Sequence, residues 1–461
     1  MSSPAGRVPF GEASWVGGGD GDSLYRGGSH RRLRTWIREF LEKEIFPDVL
    51  KWEAEGVVPR EVYGLMARKG LLLPTLPRKY RNGENLPADV PDHEWDLFHT
   101  VLINEELCRS PAVGTIFALT GGNNIGCPPI LNYGSEEQKE YYLPKVREGK
   151  ISFCLAVTEP GAGSDVAGIS TTATPDPQDP SVFIVNGNKK WITNGTFADY
   201  ATMLVRTSTS SSTSAHESTR TLSLLIVPLK TSSGSHPPGV TIRPIHVSGL
   251  STSGTAMISL RDVRVPRKNV IGKEGEGFGM VMGNFNPERL MLASSALVLA
   301  RTCLVDAWGH AMRRKTFGKK LVGNQVIRAK LASMTRALES TYAWYERIVF
   351  EIEQAAGRLD LTKDGTKDYA AVYSQPEVGA RLALLKVQAG KTLEYLSREA
   401  QQILGGAGMT RDGVGARVEQ ISRDTRVFVV GGGSEEILDD LGVRLAMLSL
   451  KRTKGTRNVK L

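Results

Sequence analysis

The sequence predicts an α+β protein of several domains: a helical N-terminal domain, a middle antiparallel β-domain and a C-terminal helical bundle. A chain of 461 residues is too long for one simple core. Short β-branched runs fill its middle part, and long apolar stripes of helical period follow them. The predicted parts are a flexible segment at 1–28, the helical domain at 29–150, the β-domain at 151–270, the bundle at 271–450 and a basic tail at 451–461.

The β-domain prediction depends on apolar runs that are separated by turn residues. Val182–Val185 precedes Asn186-Gly187, a dipeptide typical of a tight hairpin, and Trp191–Thr193 follows it. Strands at such spacing predict a small antiparallel sheet or barrel. The further predicted strands are 221–229, 239–245 and 255–265.

Two stripes of period 3.6 predict the long helices of the bundle. One runs from Ile327 to Ile352, and the other runs from Leu382 to Ile403 with Gly405 as its stop. Long helices of this kind are typical of a bundle. The polar segment 356–376 and the Ser/Thr-rich segment 207–220 are predicted loops.

Composition excludes several classes of protein. Hydrophobic residues make up 40% of the chain and charged residues 23%, which is typical of soluble globular proteins. No uninterrupted apolar stretch reaches the ~18 residues of a membrane span. Four cysteines and seven histidines are scattered without metal-ligand spacing, so we predict neither a disulfide framework nor a metal site. The net charge of +9 favours solubility or an anionic partner.

A glycine-rich segment carries the first sign of chemistry. Thr158–Val166 reads TEPGAGSDV and follows the predicted strand 151–157. Small residues let backbone N–H groups approach a ligand, and the Thr and Ser hydroxyls add donors. Such a loop suits a planar, carbonyl-rich ring or a phosphate, although a plain turn has the same composition.

Further motifs follow in a fixed order. They are WITNG at 191–195, DVRVP at 262–266, RKTFGK at 314–319 and QILGG at 402–406, with YGSEEQK at 133–139 and EGEGF at 274–278. Together with TEPGAGSDV, this set resembles the acyl-CoA dehydrogenase family over about 120–445. The resemblance implies a helical N-terminal domain, a middle β-domain and a C-terminal four-helix bundle. It also implies FAD as cofactor and a homotetramer or homodimer.

The resemblance also assigns cofactor contacts. Positions that line the flavin ring or the adjacent substrate correspond to Leu155, Val157, Thr158 and Ser164. The aromatic wall and the hydroxyl beside the ring correspond to Trp191 and Thr193. Contacts to the diphosphate and adenine of a neighbouring subunit's FAD correspond to Arg314, Thr316 and Phe317. The remaining cofactor positions correspond to Gln325, Gln402, Gly406, Ser434 and Glu436.

The catalytic base departs from the commonest pattern of the family. A base must remove the α-proton of the thioester while a hydride leaves the β-carbon, and a buried carboxylate suits that role. Many members carry this glutamate in a Tyr-Glu-Gly-Thr motif near the C-terminus. This chain has Gly432 at the corresponding position, within Gly431–Ser434. The backbone N–H of Gly432 is predicted instead to stabilise the thioester oxygen.

A second family position supplies the candidate base. Isovaleryl-CoA and long-chain enzymes carry a Glu-Arg-Leu-like motif on a helix of the C-terminal domain, and Glu288-Arg289-Leu290 resembles it. The resemblance assigns the base to Glu288 and substrate contacts to Arg289 and Ser164. We predict Glu288 in the first turn of a helix, with Asn286 as cap and Pro287 at its start.

Other acidic residues have weaker claims on a catalytic role. Glu435 and Glu436 are the next candidate bases, because they lie close to the glycine segment. Glu105 and Glu106 are interpreted as structural residues on a mostly solvated helix face.

The predicted function is FAD-dependent α,β-dehydrogenation of an acyl-CoA thioester, with electron-transferring flavoprotein or oxygen as acceptor. An oxidase or monooxygenase of the same fold acting on a non-CoA substrate is the alternative. A nucleic-acid-binding role ranks below both. A DNA-associated member of the superfamily carries an added C-terminal basic domain, whereas the basic tail of this chain, 451–461, is short.

Both termini bear on localisation. Residues 1–28 contain Glu12, Asp20 and Asp22, which disfavours a mitochondrial transit peptide. Val459-Lys460-Leu461 shares two residues with the SKL address. We expect an intracellular soluble protein that is peroxisomal or cytoplasmic rather than mitochondrial.

Overall fold

A computed structural model describes Phe10 and residues 28–207, 219–359 and 366–457. The chain forms two compact units. The first, called the helical unit, takes its residues from 1–50, 93–113 and 286–461, and the second, the sheet unit, from 51–92 and 114–285. The predicted helical N-terminal domain, 29–150, is divided between these two units. Most of the predicted flexible N-terminal segment, most of the Ser/Thr-rich loop and the Val459–Leu461 address lie outside the described residues.

Helices are the most abundant secondary structure among the described residues. In chain order the α-helices are α1 Gly28–Glu44, α2 Val49–Glu55, α3 Arg60–Arg68, α4 Leu97–Leu107, α5 Val113–Ile116, α6 Gly122–Gly126, α7 Pro128–Tyr133, α8 Glu136–Arg147, α9 Gly277–Arg313, α10 Gln325–Ala356, α11 Tyr369–Tyr373, α12 Pro376–Leu404, α13 Ala416–Val430 and α14 Glu435–Arg457. The two apolar stripes are confirmed as α10 and α12. Gly405, with φ +61°, follows the end of α12 as predicted.

Eight strands of the sheet unit form one sheet within the described residues. They are β1 Phe153–Ala156, β2 Thr172–Pro175, β3 Val182–Ile192, β4 Tyr200–Arg206, β5 Leu222–Pro228, β6 Val240–Pro244, β7 Ala256–Pro266 and β8 Val270–Ile271. Their order is β6-β7-β3-β2-β4-β5-β8, with β1 also paired to β4. The sheet is mixed rather than purely antiparallel, because β1 pairs with β4 in parallel. Strand β2 pairs antiparallel with β3 and meets β4 in parallel at one position. A parallel pair needs a crossover, and here intervening strands provide it.

The predicted hairpin at Asn186-Gly187 is wrong, because β3 runs without a turn through both residues. The register between β3 and β7 shifts between Val185 and Gly187. Gly187 has φ +148°, and a Cβ there would lie 2.4 Å from the Thr171 hydroxyl oxygen. The glycine therefore marks a β-bulge with a close neighbour, which local turn statistics cannot distinguish from a hairpin.

The cysteines are all unpaired and buried. Cys108 and Cys303 belong to the helical unit, and Cys127 and Cys154 belong to the sheet unit. Burial raises the pKa of the Cys108 and Cys154 thiols to about 12. These thiols are therefore inert packing groups in the folded protein.

Helix α9 is the one helix among the described residues that is long and apolar enough to cross a membrane by length and composition. In its most apolar 18-residue window, 72% of the residues are buried inside the protein. Such burial is typical of a core helix.

The two glutamates of α4 are not solvated, so that part of their interpretation is wrong. Glu106 is buried and binds Arg34, Arg38 and Arg109. Burial alone would raise its pKa, but the bond from Arg38 and the other arginines lower it. Glu105 accepts hydrogen bonds of 3.1 Å from the Tyr342 and Tyr345 hydroxyls. These contacts support a structural role for both residues.

Glu105 should make stability depend on pH. Burial, with the nearby Glu346, raises its pKa from 4.5 to about 8. Folding then favours the protonated form, so this contribution is present below about pH 4.5 and is lost as pH rises through about 8. We expect Glu105→Gln to raise the melting temperature by several degrees at pH 8.5 and little at pH 5. The matched control is Glu39→Gln, an exposed position on α1. Equal shifts at both pH values would contradict this account.

Candidate active site

Helix α9 carries the predicted base in its interior. The helix begins at Gly277 and continues through Pro287, so the predicted first-turn position of Glu288 is wrong. Asn286 does not cap this helix, since its side chain donates to the Tyr373 carbonyl at 2.8 Å. Glu288 is therefore held by a long packed helix rather than by a frayed helix start.

One oxygen of the Glu288 carboxyl group, Oε2, is buried and accepts no hydrogen bond among the described residues. Burial raises the pKa of Glu288 to about 7, while the charges of Arg289 and Lys386 act in the opposite direction. A carboxyl with this pKa can exchange a proton near neutral pH.

Arg289 connects α9 to the glycine segment that follows α13. Its Nε donates to the Gly432 carbonyl at 3.0 Å, and its Nη1 donates to the Asn286 amide oxygen at 2.8 Å. The structure thus brings Arg289 of the Glu-Arg-Leu motif into contact with Gly432. The substrate-binding role of Arg289 stays a prediction.

The segment Gly431–Gly433, which we call the glycine corner, requires glycine. Gly432 has φ +68° and Gly433 has φ +119°. A Cβ on Gly432 would lie 3.0 Å from Leu292 Cδ1. A glutamate at position 432 would therefore be strained by about 1–2 kcal/mol for the left-handed backbone alone.

The two alternative bases differ in their surroundings. Glu435 has a buried Oε1 without a partner among the described residues, while its Oε2 lies 3.6 Å from the Lys391 ammonium. Glu436 is exposed in the first turn of α14.

The sequence analysis missed Lys386, which is buried on α12 with 1% exposure. Its Nζ donates to the Val429 carbonyl at 2.5 Å and to the Gly433 carbonyl at 2.8 Å. Burial lowers its pKa to about 8. A lysine inside the apolar run from Leu382 to Ala389 was the available signal.

A buried ion pair supports the glycine-rich loop of the sheet unit. The Lys189 ammonium contacts Glu159 Oε1 at 2.8 Å and the Val157 carbonyl at 3.0 Å. Glu159 also accepts from the Ser170 and Thr171 amides at 2.7 and 3.0 Å. Burial would raise the pKa of Glu159, but the Lys189 charge and these bonds hold it at about 2. The pair fixes the start of the TEPGAGSDV loop.

Trp191 lies in an unusual conformation next to this loop. Its φ is +63°, and 52% of its surface is exposed. The neighbouring Lys190 amide donates to the Thr158 carbonyl at 2.9 Å, which joins the loop to β3. A Cβ on Gly161 or Gly163 would meet no atom within 4 Å. A large aromatic in a left-handed conformation beside open loop backbone is suited to a planar ligand.

The predicted cofactor residues form a set in each unit. In the sheet unit, Leu155 and Val157 are buried, while Thr158 and Thr193 are half-buried and Ser164 is exposed. In the helical unit, Thr316 and Ser434 are half-buried, and the exposed members are Arg314, Phe317, Gln325, Gln402, Gly406 and Glu436. Phe317 is 97% exposed with φ +49°, at the turn of the small hairpin β9 Lys315–Thr316 and β10 Lys319–Lys320.

His30, Asp96 and His99 form a cluster that histidine spacing did not predict. Their potential ligand atoms lie within 4.8 Å of one another. Asp96 Oδ1 contacts His30 Nε2 at 3.0 Å and His99 Nδ1 at 2.7 Å, and it also caps α4 by accepting from the His99 amide. The two imidazoles stack with ring centroids 3.7 Å apart. These contacts account for the cluster as a helix cap.

Comparison with known families gives three matches that cover most of the chain. The N-terminal, middle and C-terminal domain models of acyl-CoA dehydrogenase match residues 28–150, 154–263 and 275–446. The chain belongs to the acyl-CoA dehydrogenase family. Members of this family are FAD-dependent oxidoreductases.

Individual relatives extend along nearly the whole chain. Acyl-CoA dehydrogenase AFT10-1 of Alternaria alternata is 40% identical over 97% of this chain and 98% of its own length. A probable acyl-CoA dehydrogenase structure from Mycobacterium abscessus matches with TM-score 0.77 and 30% identity, over 91% of this chain and 99% of that one. An acyl-CoA dehydrogenase structure from Bacillus anthracis, complexed with FAD, matches with TM-score 0.79 and 25% identity, over 93% of this chain and 68% of that one.

Proposed function

We propose that this protein catalyses FAD-dependent α,β-dehydrogenation of an acyl-CoA thioester, with Glu288 removing the α-proton. The observation that carries the proposal is the buried, unpartnered Oε2 of Glu288, whose pKa burial raises to about 7. The family's commoner base position is occupied here by Gly432, which has no acid-base group. When bound, FAD supplies the acceptor for the β-hydride.

The residues of the sheet unit fit a flavin ring. Trp191 presents an exposed aromatic side chain, and Thr158 and Thr193 carry hydroxyl groups on half-buried side chains. The open backbone at Gly161 and Gly163 lets N–H groups approach a ligand. These residues would hold and orient the ring, with Ser164 contacting ring or substrate.

The remaining residues divide the work on the thioester. Glu288 accepts the α-proton on Oε2. Gly432 offers its backbone N–H to the thioester oxygen, where negative charge develops as the proton leaves. Arg289, through its bond to the Gly432 carbonyl, keeps that corner in place.

Subunit assembly is part of the proposal, because Phe317, which the resemblance places against a neighbouring subunit's cofactor, is exposed, as are several apolar side chains of α14. Phe317 is almost fully exposed, and α14 exposes a row of apolar residues. That row is Ile437, Val443, Met447, Leu448 and Leu450. A second copy of the chain would cover these residues in a homodimer or homotetramer, with Arg314 and Thr316 contributing to its FAD.

The test is an anaerobic reaction of the FAD-loaded protein with a panel of acyl-CoAs. We expect bleaching of the oxidised flavin band by at least one member, followed by reoxidation when electron-transferring flavoprotein is added. The chain length and branching of the best substrate would define the acyl class. Failure of every acyl-CoA to bleach the flavin would overturn the proposal. In that case, oxygen consumption with non-CoA substrates would test the oxidase or monooxygenase alternative.

A further inference from the structure

The strongest remaining feature is the buried ammonium group beneath the glycine corner. Lys386 is one of the largest fully buried side chains of the described residues, and its ammonium donates to two backbone carbonyls. A buried ammonium is costly, so its placement at one segment requires an explanation.

Lys386 holds both sides of that segment. The Val429 carbonyl belongs to the last turn of α13, where carbonyls lack intrahelical partners and carry partial negative charge. The Gly433 carbonyl lies beyond the left-handed Gly432. Arg289 donates to the Gly432 carbonyl, which lies between these two. The two cationic side chains therefore bind three of the five carbonyls of residues 429–433.

The same ammonium is an electrostatic neighbour of Glu288. The charged groups that act on Glu288 are Arg289, from the same helix, and Lys386, from α12. Lys386 in turn interacts with Glu435 of α14, Arg289 and Glu288. A positive charge near a buried carboxylate favours its ionised form.

We infer that Lys386 is a positioning residue of the dehydrogenation: it fixes the glycine corner and keeps a positive charge beside the Glu288 carboxylate. The inference rests on the proposed function of Glu288. It assigns no proton transfer to Lys386 itself.

Two substitutions separate these contributions. Lys386→Gln removes the charge but keeps an N–H donor for the carbonyls, and Lys386→Met removes both. The control is Lys391→Gln on the same helix, where the side chain is 48% exposed and pairs with Glu435 and Asp439. All three are compared with the wild type as FAD-loaded proteins.

The readout is the pH profile of anaerobic flavin bleaching by the best acyl-CoA. We expect Lys386→Gln to move the acid limb upward by about one pH unit, which slows bleaching at pH 6 about tenfold. Lys386→Met should show the same shift and a lower plateau, while Lys391→Gln should keep the wild-type midpoint. An unchanged midpoint in Lys386→Gln would overturn the inference, because a merely structural lysine would not move it.

A second readout does not depend on turnover. The effect of Glu288→Gln on melting temperature is measured across pH in the wild-type and Lys386→Gln backgrounds. In each background, the change in melting temperature caused by Glu288→Gln should vary with pH around a midpoint. We expect this midpoint to lie about one pH unit higher in the Lys386→Gln background than in the wild type. Coincident midpoints would count against Lys386. Rapid bleaching by Glu288→Gln would instead defeat the proposed function, while the melting comparison would still decide the role of Lys386.

Discussion

Replacing Glu288 by glutamine should slow anaerobic flavin bleaching by about 10²- to 10⁴-fold, the usual contribution of a general base. Glutamine preserves the size of the side chain but cannot accept the α-proton. FAD content should stay at the wild-type level, because no predicted cofactor contact includes Glu288. The measurement is stopped-flow absorbance with the best acyl-CoA of the panel.

The pH profile of the wild type gives a second sign of the same group. The pKa of Glu288 is raised to about 7, so the reactive carboxylate accumulates as pH rises through that value. Bleaching should therefore accelerate from pH 6 to pH 8. The matched control for Glu288→Gln is Glu377→Gln, which changes an exposed glutamate in the first turn of α12. Wild-type rates in Glu288→Gln would transfer attention to Glu435, the alternative with a buried carboxyl oxygen.

Among the substitutions proposed here, Lys189→Met should lower the free energy of unfolding the most. The substitution leaves the Glu159 carboxylate buried without its ion partner, which typically costs about 3–5 kcal/mol. The Val157 carbonyl also loses a donor. We expect a lower melting temperature and weaker FAD retention, because the damaged pair supports the glycine-rich loop.

Two controls identify the cause of that loss. Lys150→Met removes a lysine that is 68% exposed and pairs with Glu148, so its effect should stay below about 1 kcal/mol. Adding Glu159→Gln to Lys189→Met should recover part of the lost stability, since the unpaired charge disappears. A melting temperature of Lys189→Met equal to that of Lys150→Met would refute the importance of the buried pair.

Local sequence patterns predicted the fold where the pattern itself decides the structure. The stripes that became α10 and α12 were readable because each apolar face repeats along one helix. The Asn186-Gly187 signal failed because the Thr171 contact and the pairing to β7 lie outside the local segment. Pro287 similarly suggested a helix start, although the packed helix α9 continues through it.

Family motifs located Glu288, but they could not describe its surroundings. Lys386 lies about a hundred residues further along the chain, and only folding brings its charge near α9. The Glu159–Lys189 pair spans 30 residues, and Asp96 and His30 are 66 residues apart. Such contacts depend on tertiary packing, which spacing along a single sequence does not encode.

The buried cysteines provide a built-in probe of conformational opening. Each compact unit contains two thiols that a labelling reagent cannot reach while that unit is closed. Labelling rates at Cys108 and Cys303 report opening of the helical unit, and those at Cys127 and Cys154 report opening of the sheet unit. Mass spectrometry of the modified peptides therefore measures the cooperativity of the two units without any engineered tag, and it compares protein with and without FAD.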